Sequence, residues 1–192
     1  MIRVDDLRVS KNGNLICSVP KLSLNNGEAL AIVGRNGCGK TTLLRVLAGL
    51  ELDYEGRCSI AAERRERVFV HQAPYLFRGT ALSNVMYGVR ARRLSGGQQR
   101  ARTWLEKLRV GPLAQSRASQ LSGGERRRVA LARALATDAR LMLLDEPLAE
   151  MDDEGIDAVA NVLSSLGDAS IVITSPTTLP DRLSGIQEYR IS

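Results

Sequence analysis

Between residues 34 and 42 the chain reads Gly34-Arg35-Asn36-Gly37-Cys38-Gly39-Lys40-Thr41-Thr42. Gly34, Gly39, Lys40 and Thr41 satisfy the pattern G-x-x-x-x-G-K-[ST], which carries meaning only between a buried strand and a helix. Both flanks are present: 29–33 (Ala-Leu-Ala-Ile-Val) is an apolar run of strand length, and 42–48 has helical spacing. Glycines let the loop wrap an anion with its backbone N–H groups, and the following helix turns its partly positive end to the same anion. Lys40 is then placed to reach the β- and γ-phosphates, and the Thr41 hydroxyl to ligate Mg²⁺. A glycine-rich turn that met the pattern by chance would not be expected to have both flanks. The stretch reads as a nucleotide site.

A chain of 192 residues is long enough for one well-buried domain, and only 4% of its residues are aromatic, so the core must be aliphatic. The net charge of +6 is almost all arginine. It fits nucleic acid, an acidic membrane surface, or arginine-rich helix faces in water. The clusters at 90–102 and 126–133 fall on expected helices, which favours solvated faces. Cys17, Cys38 and Cys58 form no C-x-x-C pair, which argues against a disulfide framework or a zinc site and suits a reducing cytosol. No apolar signal segment or membrane-spanning run is present, so action at a membrane is expected to go through a partner.

In chain order, 2–9 alternates, Asn12-Gly13-Asn14 signals a turn, and 15–19 and 22–24 are two short strand pieces. Asn25-Asn26-Gly27 turns the chain into the strand before the phosphate loop. Glu55-Gly56 reads as another turn, 58–60 as a short strand and 68–72 as a stronger one. From 73 to 136 helical spacing dominates, with helices expected over 81–89, 98–108 and 125–136. Strand character returns at 141–144, then a helix over 155–166, a strand over 170–174 and an edge strand over 188–191. Strands alternating with helices imply an α/β fold with a mostly parallel sheet and a helical insertion.

Leu141-Met-Leu-Leu-Asp145-Glu146-Pro147 ends an apolar strand in two carboxylates. Asp145 is expected beside the phosphate loop, holding Mg²⁺ through water, and Glu146 is expected to polarise the water that attacks the γ-phosphate. Two surface acids at a strand end are the alternative. Leu121-Ser122-Gly123-Gly124-Glu125 opens a helix and makes a second anion-binding N-terminus, unless Ser122 is a simple cap. Two such ends in one chain suggest that two chains each lend one to the other's nucleotide.

Taken together, these stretches resemble the nucleotide-binding subunit of an ATP-binding-cassette transporter over essentially the whole chain. The segment 34–41 is similar to its Walker A loop, Gln72 to its Q-loop, 121–125 to its signature motif, 141–146 to its Walker B strand and catalytic glutamate, and 148–152 to its D-loop. The resemblance implies a P-loop NTPase (RecA-like) sheet with an N-terminal antiparallel β subdomain. It implies one domain over 1–192, with 1–75 and 138–192 as nucleotide-binding core and 76–137 as the helical subdomain carrying the signature. It also implies a head-to-tail pairing, as a homodimer or with another ATPase subunit, that buries two ATP between Walker A and the partner's signature. Arg35, Asn36, Gly37, Cys38 and Thr42 would join Gly34, Gly39, Lys40 and Thr41 around ATP. Thr41, Gln72 and Asp145 would hold Mg²⁺, Gln72 sensing the γ-phosphate. The resemblance implies a transmembrane permease as partner and a cytoplasmic location on the inner face of the membrane. The stretch 72–88 is similar to importers of tungstate, molybdate and related oxyanions, and the chain's end soon after the last strand leaves no room for a regulatory domain.

Leu94-Ser95-Gly-Gly-Gln-Gln-Arg100 looks like a second signature, but Ser122 lies 23 residues before Asp145 and Ser95 lies 50 before it. Ser95 therefore reads as a helix N-cap. Two departures from the family matter. Its histidine after the strand at 170–174 is Ser175 here, an uncharged hydroxyl, so turnover is expected to be slow and to rely on Glu146. No aromatic precedes Tyr54 to stack on adenine, which leaves Val9 and its neighbours as an apolar face and predicts weak discrimination between ATP and GTP. Cys38 is either a reactive thiol at a helix end or a small residue that fits the loop. The competing classes are a soluble ATPase scaffolding another enzyme and a DNA-maintenance ATPase. The second would need a coiled coil between Lys40 and Ser122, and no sustained heptads occur there, so nucleic acid is not the expected partner.

Overall fold

The computed structural model describes residues 1–191. It opens with a hairpin, β1 (Ile2–Lys11) and β2 (Asn14–Leu24), turned at Asn12-Gly13. β3 (Ala29–Val33) leads into the phosphate loop and α1 (Lys40–Ala48), followed by β4 (Glu55–Ile60) and β5 (Arg67–Val70). The helices α2 (Ala81–Ala91), α3 (Gly97–Lys107) and α4 (Gly123–Leu135) come next. The chain closes with β6 (Leu141–Leu144), α5 (Asp153–Ser164), β7 (Ser170–Ser175) and β8 (Gln187–Arg190).

Two sheets result. The first is antiparallel in the order β2-β1-β4, and the second has five strands in the order β5-β6-β7-β3-β8. β3 runs parallel to β7 and β8, and β6 runs parallel to β7. All four residues of β6 are buried, as an apolar strand in a parallel sheet requires. Compactness divides the chain into one unit of 1–69, 140–146 and 167–192, and a second of 70–139 and 147–166.

In the first unit the antiparallel sheet, α1 and one face of the parallel sheet share a core that includes Leu7, Val9, Val19, Leu30, Ile32, Leu43, Leu47, Leu141 and Val172. α1 contributes Leu43, Leu44 and Leu47, none of them exposed, each stabilising the fold by about 1.5–3 kcal/mol. In the second unit α2, α3 and α4 pack on one another and α4 touches α5. Asn84, buried on α2, pins the segment before that helix: its amide donates to the carbonyls of Phe77 and Thr80 at 3.0 Å each, and its Oδ1 accepts from the Phe77 N–H at 2.8 Å.

The sequence expectations need four corrections here. The two pieces 15–19 and 22–24 are one strand, β2, which runs through Pro20 because β2 is an edge strand and need not donate on both sides. Glu55-Gly56 is not a turn but the start of β4. Gly56 (φ 88) sits where the β1–β4 register slips, and a Cβ there would strike the Asp6 carbonyl. The strand expected at 68–72 ends at Val70, leaving His71 and Gln72 beyond it. The cap of α3 is Gly96, in the left-handed region, and not Ser95.

Candidate nucleotide-binding site

β3 ends at Val33, and the loop that follows is tied to the neighbouring strand, with the Gly34 N–H donating to the Ser175 carbonyl at 3.2 Å. Gly39, the residue before α1, has φ 90 and lies against β2, where a side chain would meet the Ile16 carbonyl and Cys17. Only glycine meets both conditions.

Lys40 is 5% exposed. Its ammonium donates to the Gly34 carbonyl at 2.7 Å and the Arg35 carbonyl at 3.2 Å, and lies 3.6 Å from Glu146 Oε1. The cation is thus held over the loop by polar groups that a phosphate could replace. One residue on, Thr41 Oγ1 donates to Asp145 Oδ2 at 2.8 Å, bringing the start of α1 to the end of β6.

Asp145 is 2% exposed, and both of its oxygens are engaged, because Thr174 Oγ1 on β7 donates to Oδ1 at 2.7 Å. The same Thr174 oxygen accepts from the Glu146 N–H at 2.8 Å. Glu146 has φ 45, a left-handed backbone that costs a non-glycine residue about 1–3 kcal/mol. Thr174 therefore fixes the Asp145 carboxylate and the Glu146 backbone at the end of β6. Sequence reasoning missed this residue; the signal was a hydroxyl directly after the aliphatic run 171–173.

Ser175 ends β7 opposite Val33 in the register with β3. Its carbonyl, and not its hydroxyl, makes the bond to the phosphate loop; the hydroxyl accepts weakly from the Thr177 N–H at 3.4 Å. Beside it a cavity of about 700 Å³ opens on the loop, lined in part by Gly34, Arg35, Cys38, Thr177 and Arg190. Val9 is fully buried in the core, so it offers no face to a base.

In the helical unit Ser122 caps α4 in a reciprocal box: Ser122 Oγ accepts from the Glu125 N–H at 3.3 Å, and the Glu125 carboxylate accepts from the Ser122 N–H at 2.8 Å. Ser122 and Gly123 remain exposed, with Gly124 half-buried, at the start of a 13-residue helix. Glu150, in the D-loop-like stretch, is held by Arg127 at 2.5 Å, and that guanidinium keeps its carboxyl below the usual carboxylate range. Arg127 also donates to the Gln72 carbonyl at 3.1 Å. Arg133 lies over the Phe77 ring and donates to the Tyr75 carbonyl at 2.8 Å. The arginines at 126–133 are therefore partly structural, contrary to a purely solvated face.

Sequence reasoning also passed over the aromatics of this unit. Tyr75, Phe77 and Tyr87 form a chain of ring contacts at 5.7 and 4.4 Å, with Tyr75 72% and Tyr87 53% exposed. Three of the seven aromatic residues lying within thirteen positions was the available signal. A groove of about 800 Å³ in the same unit is lined by Tyr75 and Phe77 together with Arg78, Arg117 and Arg126.

The family described as ABC transporter matches residues 18–149. The chain is similar to the tungstate uptake system ATP-binding protein TupC of Peptoclostridium acidaminophilum, 34% identical over 82% of this chain and 77% of that protein. It is similar also to the spermidine/putrescine import ATP-binding protein PotA of Shigella dysenteriae serotype 1, 35% identical over 100% of this chain and 56% of that protein, so it spans about half the length of that relative. A solved inward-facing ABC transporter superposes with a TM-score of 0.81 at 28% identity, covering 100% of this chain and 79% of that one.

Proposed function

The chain belongs to the ABC transporter family, and we propose that it is the ATP-hydrolysing subunit of an importer, working as a dimer beneath a separate transmembrane permease. The observation that carries this reading is the Thr41–Asp145 contact at 2.8 Å, with Lys40 and Glu146 on either side. It joins phosphate-binding, metal-binding and water-activating chemistry at one end of a parallel sheet.

In this reading the amides of residues 35–42 and the N-terminus of α1 hold the phosphates, and Lys40 exchanges its carbonyl acceptors for phosphate oxygens. Thr41 and Asp145 present oxygen donors, the kind that Mg²⁺ prefers, and they already meet, so the pair fits that ion. When bound, Mg²⁺ would neutralise charge on the β- and γ-phosphates. The Glu146 carboxylate orients the attacking water and accepts its proton. Ser175 offers one neutral hydrogen bond, and Gln72 takes the sensing role that the family resemblance implies. Ser122, Gly123 and Gly124 lend their helix end to the nucleotide of the second subunit, so ATP closes the dimer and hydrolysis reopens it. The helical span 76–137 serves as the signature-bearing subdomain.

Among the described residues no helix is long and apolar enough to cross a membrane. Peripheral attachment on the cytoplasmic face follows from the proposed permease partner. The exposed aromatics and arginine-rimmed groove of the helical unit are the surface proposed to receive it. The relation to the tungstate protein makes a tetrahedral oxyanion the cargo to test first. Between Lys40 and Ser122 the longest helices have 11 residues, which gives no support to a coiled-coil DNA-maintenance protein.

The test is twofold. Phosphate release from ATP by the purified chain should require Mg²⁺, and the tagged chain should bring down a multispanning membrane protein from solubilised cells. Mg²⁺-independent release, or capture of a soluble enzyme alone, contradicts the proposal.

A further inference from the structure

Two cysteines flank the glycine that opens α1. Cys38 precedes Gly39 in the chain, and Cys17 on β2 presses on Gly39 from below: a Cβ built on Gly39 would lie 2.8 Å from Cys17 Cβ and 3.1 Å from its Cα. Cys38 Sγ points back under the loop, 2.7 Å from where a Gly34 side chain would begin, beside Ile191. Cys17 belongs to the core of the first unit and Cys38 packs against that same core, as does Tyr189. Tyr189 lies in β8, and Ile191 follows that strand's last residue, Arg190. Burial first, and the neighbouring Cys38 second, push the Cys17 thiol up to about 11. Gly39 thus has Cys17 packed against it and Cys38 next to it in the chain, which brings the two cysteines together at the base of the phosphate loop. Cys38 alone of the pair lines the cavity beside the loop, whereas Cys17 is 2% exposed.

We propose that Cys17 and Cys38 form a peroxide-driven disulfide that ties the phosphate loop to β2 and switches nucleotide binding off. The inference rests on the nucleotide-site reading above and adds a regulation to that site. The chemistry balances with one hydroperoxide. The accessible Cys38 sulfur attacks the peroxide O–O bond and becomes a sulfenic acid, releasing one water from hydrogen peroxide. Cys17 sulfur then attacks Cys38 sulfur; the S–S bond forms, the S–O bond breaks, and the hydroxyl leaves as a second water with the Cys17 proton. A dithiol reductant returns both thiols. The link costs binding because Cys38 belongs to the loop whose amides must wrap the phosphate, and a disulfide fixes its geometry to within a narrow range of Cα separation and dihedral angle.

The experiment treats the full chain with hydrogen peroxide, maps its disulfides by mass spectrometry and titrates a fluorescent ATP analogue. A Cys17–Cys38 linked peptide, with Cys58 left unpaired, should accompany a loss of affinity of at least about tenfold that a dithiol reverses. Cys17→Ala, or Cys17→Val if alanine unfolds the core, should bind the analogue normally and keep binding it after peroxide. The proposal is overturned by absence of the linked peptide, by a linked protein that binds as tightly as the reduced one, or by equal peroxide sensitivity in the Cys17 variants. Reduced protein that binds no nucleotide sinks the functional reading instead, while the peptide map still decides whether the disulfide forms.

Discussion

Thr41 and Asp145 lie 104 positions apart in the chain, yet Thr41 Oγ1 donates to Asp145 Oδ2 at 2.8 Å. The contact joins the first turn of α1 to the end of β6. It also leaves Asp145 with Thr41 and Thr174 as its two hydroxyl partners.

Asp145→Asn tests that pairing. The amide keeps the shape but loses the charge, and charge-assisted hydrogen bonds contribute about 1.5–3 kcal/mol. ATP affinity measured with Mg²⁺ should fall about tenfold or more, while affinity in EDTA should stay near that of the parent. Equal losses in both conditions would mean that Asp145 acts only as a structural anchor.

Gly39→Ala tests the geometry of the loop. The new methyl would meet the Ile16 carbonyl and Cys17 in a backbone of φ 90, at a cost of about 1–3 kcal/mol. Nucleotide binding should be lost before the fold is, seen as a titration without signal in a protein that still melts cooperatively. Normal binding by this variant would show that the loop has another way to settle.

Much of this arrangement was legible in the sequence because its signals are local. An apolar run, a glycine-rich loop and a helix follow one another at 29–48, and an aliphatic strand ends in Asp145-Glu146. What escaped depended on partners distant in sequence. Pro20 reads as a break until β2 is seen to be an edge strand, and Gly56 reads as a turn until the Asp6 carbonyl is found against it. Thr174 is one more strand residue until Asp145 and Glu146 are placed beside it. Val9 looked available to a base because alternation shows which residues share a face, and not that this face is covered by α1 and β3.

Ser175→Ala separates backbone from side chain. Alanine keeps the carbonyl that accepts from Gly34, so ATP binding should stay within about twofold. Loss of the neutral hydrogen bond proposed to reach the phosphate, about 1 kcal/mol, should slow turnover roughly fivefold. An unchanged rate would remove any role for the hydroxyl.

Cys17 gives a pH dependence. Burial first, and the neighbouring Cys38 second, push its thiol from about 9.0 to about 11. The unfolded chain then ionises Cys17 at lower pH than the folded one, so the proton-linked stability is fully present below pH 9 and is lost as pH rises toward 11. The loss should be about 1–2 kcal/mol beyond that of Cys17→Ala, read from urea unfolding at pH 8 and pH 10.5. Parallel pH profiles for the two proteins would show that Cys17 titrates alike in both states.

The central claim is that Glu146, strained at φ 45 and held 3.6 Å from Lys40, drives hydrolysis in a dimer that closes around ATP. The most direct measurement compares ATP turnover and oligomeric state of the purified chain with those of Glu146→Gln. The account predicts slow but measurable turnover in the parent, a fall of at least about a hundredfold in the variant, and a stable dimer of the variant in ATP that falls apart when nucleotide is removed. Equal turnover in both proteins, or none in either, would contradict it.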